Sequence, residues 1–70
     1  MEATIHDMRL FAAVYEELSF TGAAIREAAT QSGVSKHIGK LEDLLGVRLF
    51  TRSKTAGIAA TPAADVYYRQ

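Results

Sequence analysis

Between Thr30 and Leu41 the only formal charges are Lys36 and Lys40, and no acid interrupts them. Gln31, Ser32 and Ser35 stand around these lysines. The set suits the edges of nucleic-acid bases. A glutamine amide can bond adenine through two atoms, a lysine donates to guanine, and hydroxyls serve bases or phosphates. From Val47 to Ala60 the charges are again all positive, on Arg48, Arg52 and Lys54, while Glu2, Asp7, Glu16, Glu17 and Asp65 lie outside both stretches. The net charge over 70 residues is zero, where a nucleic-acid binder is more usually basic. Two acid-free basic stretches on a neutral chain still predict one positive face, because distribution matters more than the sum.

Other chemistry finds little footing. The chain has no cysteine, which removes disulfides and thiolate metal sites and fits a reducing compartment. His6 and His37 are far apart in sequence, and neither has an acid or cysteine at ligand spacing, so no metal and no cofactor is expected. His6 reads as a surface histidine. His37 flanks the polar face and is a further candidate for DNA contact. Ser19 and Ser35 lack the Gly-x-Ser-x-Gly setting of a nucleophile. The pairs Glu16-Glu17 and Glu42-Asp43 read as solvated faces, since adjacent residues point apart on a helix. No enzyme is expected. Met1 to Asp7 does not look like a signal peptide, and no apolar run approaches membrane-spanning length, which predicts a cytoplasmic protein.

The elements that would position these residues can be traced from apolar spacing. Thr4 and Asp7 suit a helix start, and Met8, Phe11, Ala12, Tyr15 and Leu18 recur as one buried stripe of a helix over 5–18. Ser19 caps a short second helix with Phe20, Ala23 and Ala24 turned inward; the alanines allow close helix approach. Thr30 caps a third, over 31–45, whose buried face is Val34, Ile38, Leu41 and Leu45, and Gly46 ends it in the left-handed conformation. The opposite face carries Gln31, Ser32, Ser35, Lys36, Gly39 and Lys40. Gly33 and Gly39 each lower helix propensity by roughly 1 kcal/mol relative to alanine, for close approach to DNA or for packing. Val47 to Ala60 reads as a hairpin, and Thr61-Pro62 starts a fourth helix in which Val66, Tyr67 and Tyr68 suit a dimer seam. Phe11, Phe20 and Phe50 are most simply core. The fold class is therefore mainly α, a winged helix-turn-helix with a three-helix core, a small β-hairpin wing and the start of a linker helix. In such a fold the third helix enters the major groove and the hairpin lies over the backbone or an adjacent groove. A core this small would gain from association with a second copy.

Four blocks make a resemblance specific. Leu10 to Ala24 contains a Ser-Phe-Thr-x-Ala-Ala signature at Ser19–Ala24. Thr30 to Ile38 follows in register. Leu41 to Arg52 reads Leu-Glu-x-x-Leu-Gly-x-x-Leu-Phe-x-Arg, and Thr61-Pro62-Ala63 opens the last helix. Together they resemble the N-terminal DNA-binding domain of LysR-type bacterial transcriptional regulators. The resemblance implies a DNA-binding domain over 1–60 and a linker or dimerisation helix starting at 61–70, with the wing at 49–60. It implies base-reading positions at Gln31, Ser32, Ser35 and Lys36, phosphate contacts at Thr21 and Arg52, and Lys54 in the wing near the minor groove; Lys40 joins the phosphate set. It further implies a homodimer, paired through linker helices, on double-stranded DNA with an interrupted palindromic site. A small-molecule effector would bind a C-terminal domain outside this chain. Where the family has a buried leucine, this chain has Glu27, which should lie at the core's rim or pair with a base, with Ile25 or Ala28 supplying the apolar contact. A protein–protein assembly module is the competing reading, and a MarR-like or molybdate-responsive winged helix a nearer one; steep salt dependence of binding separates DNA binding from assembly.

Overall fold

A computed structural model describes residues 5–53 and 57–69. Its order is α1 (Ile5–Glu17), α2 (Phe20–Arg26), α3 (Gln31–Leu45), β1 (Phe50–Ser53), β2 (Gly57–Ala60) and α4 (Pro62–Arg69). Helices α1, α2 and α3 enclose one core, the two strands form an antiparallel hairpin, and α4 returns to α1. The fold is a winged helix-turn-helix, as the spacing of apolar residues predicts.

Local chemistry sets most boundaries. Ser19 Oγ accepts from the Gly22 amide at 2.9 Å, and Thr30 Oγ1 accepts from the Gly33 amide at 3.0 Å. Each cap satisfies an amide that the first helical turn leaves free. Gly46, at φ 71°, closes α3 with its amide on the Glu42 carbonyl. Thr61 Oγ1 accepts from the Ala64 amide at 3.2 Å and donates to the Arg48 carbonyl at 2.6 Å. It thus starts α4 and ties that start to the segment that leads into the wing. The expected cap at Thr4 lies outside the described residues.

The buried face of α1 differs from the expected stripe. Leu10, Phe11, Ala13 and Val14 are buried, together with Asp7, whereas Met8 and Leu18 are each 49 % exposed and Ala12 and Tyr15 are half-buried. Both faces include Phe11 at helical spacing, and periodicity alone did not choose between them. Packing against α2 and α3 selects the 7–10–14 side, while the other side meets α4 or solvent. α1 also stops at Glu17; Leu18 turns to φ 49°, a left-handed conformation that ends the helix. On α3, Val34, Ile38 and Leu41 are buried as expected, but Leu45 is 40 % exposed because the chain turns away one residue later.

The helix-turn between α2 and α3 is built without the expected apolar plug. Ile25 is 78 % exposed, and Ala28 adopts φ 54° at the surface, so neither supplies the contact. The Ala29 amide instead reaches back to the Ala24 carbonyl at 2.8 Å. Glu27 lies at the core's rim, as expected, with its carboxylate 3.7 Å from Arg9 on one side and 3.7 Å from Arg26 on the other. A carboxylate there avoids the cost of an unpaired buried charge.

Glu42 is not a solvated residue. Its Oε2 accepts from the amides of Leu49 at 2.8 Å and Phe50 at 3.3 Å. One side chain of α3 therefore anchors the backbone where the wing begins. Buried Leu49 and Phe50 then seat β1 on the core, and Phe50 pairs with Ala60 at the base of the hairpin.

Candidate nucleic-acid interface

With Val34, Ile38 and Leu41 buried, the other side of α3 is presented outward. Gln31, Ser32 and Lys36 are exposed on it, and Ser35 is half-buried toward the wing. Ser32 and Lys36 are one turn apart, so their side chains rise from the same stripe. Gln31 stands at the helix start beside them. Asp43, also exposed, sits about two turns beyond Lys36 on this stripe, which confines the attractive potential for an anion to the N-terminal half of the helix.

Ser35 is joined to the wing. Arg52, on β1, donates from Nη2 to Ser35 Oγ at 2.9 Å, and its guanidinium carbon lies 4.4 Å above the centroid of the Phe20 ring. Stacking on an aromatic face limits the rotamers of a long side chain while leaving its charge in place. A serine hydroxyl has one hydrogen to give and two lone pairs; with Arg52 donating to it, Ser35 retains its O–H for an external acceptor. Below this bridge runs a groove of about 540 Å³ between α3 and β1, flanked by Ser35, Gly39, Arg48, Thr51 and Arg52.

The two glycines of α3 separate in role. A Cβ at Gly33 would stand 2.8 Å from Thr30 Oγ1, so glycine there keeps the cap intact. A Cβ at Gly39 would meet nothing within 4 Å. Its surface is open where the helix borders the groove, and only Gly39 of the pair leaves room for a ligand to approach the backbone.

Lys40 and His37 are placed differently from the sequence expectation. Their neighbourhood is not acid-free: Asp7, from the first turn of α1, puts Oδ1 2.7 Å from His37 Nδ1 and Oδ2 3.8 Å from Lys40 Nζ. Asp7 lies 30 positions before His37, and packing of α1 on α3 joins them. His6 also meets His37, ring edge to ring face at 5.0 Å. Among the described residues no group of three or more histidines and acids could hold a metal ion. Thr21 is exposed one residue into α2. Lys54 lies outside the described residues.

The zero net charge is resolved by pairing. Glu16 and Glu17 meet Arg26 at 2.6 and 3.6 Å, Glu27 meets Arg9 and Arg26, Glu42 is spent on backbone amides, and Asp65 accepts from Tyr15. Lys36, Arg48 and Arg52 are exposed and, among the described residues, form no ion pair with an acid. Glu42 borders the α3–wing groove and Asp43 is exposed on α3, so the positive character of this face rests on Lys36, Arg48 and Arg52.

Tyr67 and Tyr68 are engaged within the chain and are not simply an open seam. Tyr67 packs edge-on against Phe11 with centroids 4.9 Å apart, and Tyr68 stacks on Tyr15 at 4.1 Å. Tyr15 O–H donates to Asp65 at 2.7 Å, and Tyr68 O–H donates to Glu16. Val66 stays 59 % exposed. The hydrogen bond to Asp65 raises the Tyr15 phenol above its ordinary 10.0, that to Glu16 raises Tyr68 likewise, and Tyr68 together with Arg26 holds Glu16 below 4.5. The raised phenols contribute stability below pH 10.0 that is lost as pH rises through their folded values. The lowered Glu16 contributes stability above pH 4.5 that is lost as pH falls through its folded value. Docking of α4 on α1, followed by tyrosine near-ultraviolet circular dichroism, should therefore be level between these limits and decline outside both. Tyr68→Phe should shrink the acid limb. A signal that persists undiminished well above pH 10.0 would mean the phenols do not hold α4.

Comparison with known proteins agrees with this architecture. Residues 5–65 match the family described as bacterial regulatory helix-turn-helix protein, lysR family. The chain is 41 % identical over 61 residues to the HTH-type transcriptional regulator PgrR of Escherichia coli K12, a match that covers 87 % of this chain and 20 % of that protein. It is 44 % identical over 62 residues to the HTH-type transcriptional activator AaeR of the same strain, covering 89 % and 20 %. It thus spans about a fifth of the length of these curated relatives. Among solved structures, a BenM_DBD/catB site 1 DNA complex superposes with TM-score 0.85 at 36 % identity, over 99 % of this chain and 74 % of that one. Oxidized Corynebacterium glutamicum OxyR gives 0.91 at 30 %, over 99 % and 22 %. With its four helices, hairpin wing and matching sequence blocks, the chain belongs to the LysR family of bacterial regulatory helix-turn-helix proteins.

Proposed function

We propose that this chain is the sequence-specific, double-stranded-DNA-binding part of a bacterial transcriptional regulator acting in the cytoplasm. The observation that carries the reading is the outward stripe of α3, with Gln31, Ser32 and Lys36 exposed and Arg52 bridged to Ser35 at its side. α3 enters the major groove, where Gln31, Ser32, Ser35 and Lys36 face base edges. Thr21, Lys40 and Arg52 take phosphates, and the wing at 49–60, including Lys54, lies on the backbone or the adjacent minor groove. His37 adds a contact at the edge of α3. A relative with the same fold was solved as a DNA complex, which supports DNA binding. No catalytic step and no cofactor enters the reading.

Residues 61–70 form the start of a linker helix, through which a second copy pairs on an interrupted palindrome. Exposed Val66 and the groove of about 250 Å³ between α1 and α4 suit such a contact. A small-molecule effector would bind a C-terminal domain outside this chain. No helix among the described residues is long and apolar enough to cross a membrane.

Fluorescence anisotropy on a duplex selected from a random pool, across several salt concentrations, tests the reading. Log affinity should fall linearly with log salt at about 0.9 per neutralised phosphate. Salt-insensitive binding, or binding only to other proteins, would favour an assembly module. Sedimentation on a palindromic duplex should show two copies; a strictly monomeric complex would remove the dimer.

A further inference from the structure

The buried Asp7 carboxylate serves no purpose in the DNA reading so far. It is 1 % exposed in the first turn of α1, a position where a charge persists only if partnered. The partners that reach it from α3 are His37 and Lys40, one helical turn apart. An ionised carboxylate can only accept, so His37 Nδ1 carries the hydrogen of the 2.7 Å bond. That assignment settles what the other ring nitrogen offers. In the neutral ring Nε2 has only a lone pair, which a phosphate oxygen repels. In the protonated ring Nε2 becomes a charged donor. The His37 side chain is 36 % exposed and follows Lys36, which belongs to the outward stripe.

The placement on α3 matters equally. Ser35 and Gly39 border the wing, whereas His37 and Lys40 run along the edge that faces α1. A helix lying in a major groove has a phosphate strand on either side. Arg52 stands at the wing side, and the Asp7-held pair stands at the other. Among the described residues, the charged and titratable groups gathered around His37 are His6 and Asp7 from α1 and Lys40 from its own helix.

We propose that Asp7 is a positioning residue that turns His37 into a proton-dependent phosphate clamp on the α1-facing edge of the recognition helix. The inference rests on the DNA-binding reading above. Protonation of His37 adds one phosphate contact, so specific and nonspecific DNA affinity both rise as pH falls through the histidine range. By linkage, bound DNA raises the His37 titration midpoint.

The test is anisotropy on the selected duplex at fixed ionic strength, from about pH 8 to about pH 5. The wild-type chain should tighten roughly tenfold, the gain of one charge-assisted hydrogen bond. His37→Gln should give a flat profile, and His6→Gln should keep the slope. Asp7→Asn, if circular dichroism shows it folded, should bind DNA and lose most of the slope; if it unfolds, the histidine variants decide. Nuclear magnetic resonance of the two imidazoles should show DNA raising the midpoint of His37 by about one pH unit for a tenfold effect, with His6 moving less. A flat wild-type profile, or an undiminished slope in His37→Gln, overturns the clamp and leaves DNA binding standing. Absence of binding to any duplex at either pH would remove both.

Discussion

Phe11→Ala is expected to leave the chain largely unfolded at room temperature. Phe11 is buried where α1 meets both the wing and α4; its ring centroid lies 5.6 Å from Phe50 and 4.9 Å from Tyr67, with Tyr15 and Tyr68 at 5.9 and 6.4 Å. Truncating a buried phenylalanine costs about 3–5 kcal/mol through lost transfer energy and the cavity left behind. A single core in a domain this small rarely supplies more than about 3–5 kcal/mol in total. The loss is then of the same size as the whole. Far-ultraviolet circular dichroism with a urea titration would measure it, and Phe11→Leu, which keeps most of the volume, should remain folded with a lowered midpoint. A cooperative Phe11→Ala transition close to the wild-type midpoint would show that α4 and the wing do not share a core with α1.

Substitutions on the outward stripe of α3 should change recognition without changing stability. Gln31→Ala and Lys36→Ala remove exposed side chains, so each should melt within about 0.5 kcal/mol of the parent. On the selected duplex each should cost about 1–3 kcal/mol, five- to more than a hundredfold in affinity, and relax preference at one or two base pairs. Arg52→Ala should differ. It weakens selected and scrambled duplexes alike and lowers the salt slope by about one. It should also loosen Ser35, which loses the donor that holds it at 2.9 Å. Should Gln31→Ala and Lys36→Ala leave the ratio between selected and scrambled duplexes unchanged, α3 is not the sequence reader.

Much of the frame was legible because it is local. A hydroxyl immediately before an apolar-periodic run caps a helix wherever that run packs, and Ser19, Thr30 and Thr61 all do so. Gly46 ends α3 for the same kind of reason, since φ 71° is open to it at no steric cost. The buried trio Val34, Ile38 and Leu41 follows from spacing, and naming it also names the outward residues opposite. Glu27 could be placed at the rim in advance because an unpaired buried carboxylate is too costly in any fold.

What was misread depended on which partner each face met. Two faces of α1 carry apolar residues, and only contact with α2 and α3 buries Leu10 and Val14 while leaving Met8 exposed. Glu42 looked like half of a solvated acidic pair, yet the turn at Gly46 brings the Leu49 and Phe50 amides back to it. Tyr67 and Tyr68 suit a seam with a second copy, and their spacing does not show that α4 also folds onto α1 and engages both rings there. In each case the residue type was informative and the partner was not.

By itself, then, the sequence determined the element order, the caps, the inner and outer faces of α3 and the residue types offered to DNA, because these depend on interactions within a few positions of one another. The tertiary structure alone decided which charges remain free. Asp7 and His37 are separated by 30 positions and meet only when α1 crosses α3, and Arg52 reaches Ser35 only when the wing folds beside the helix. Opposite charges attract strongly only at close range in a partly desolvated setting, and such proximity comes from chain folding, which linear spacing does not encode.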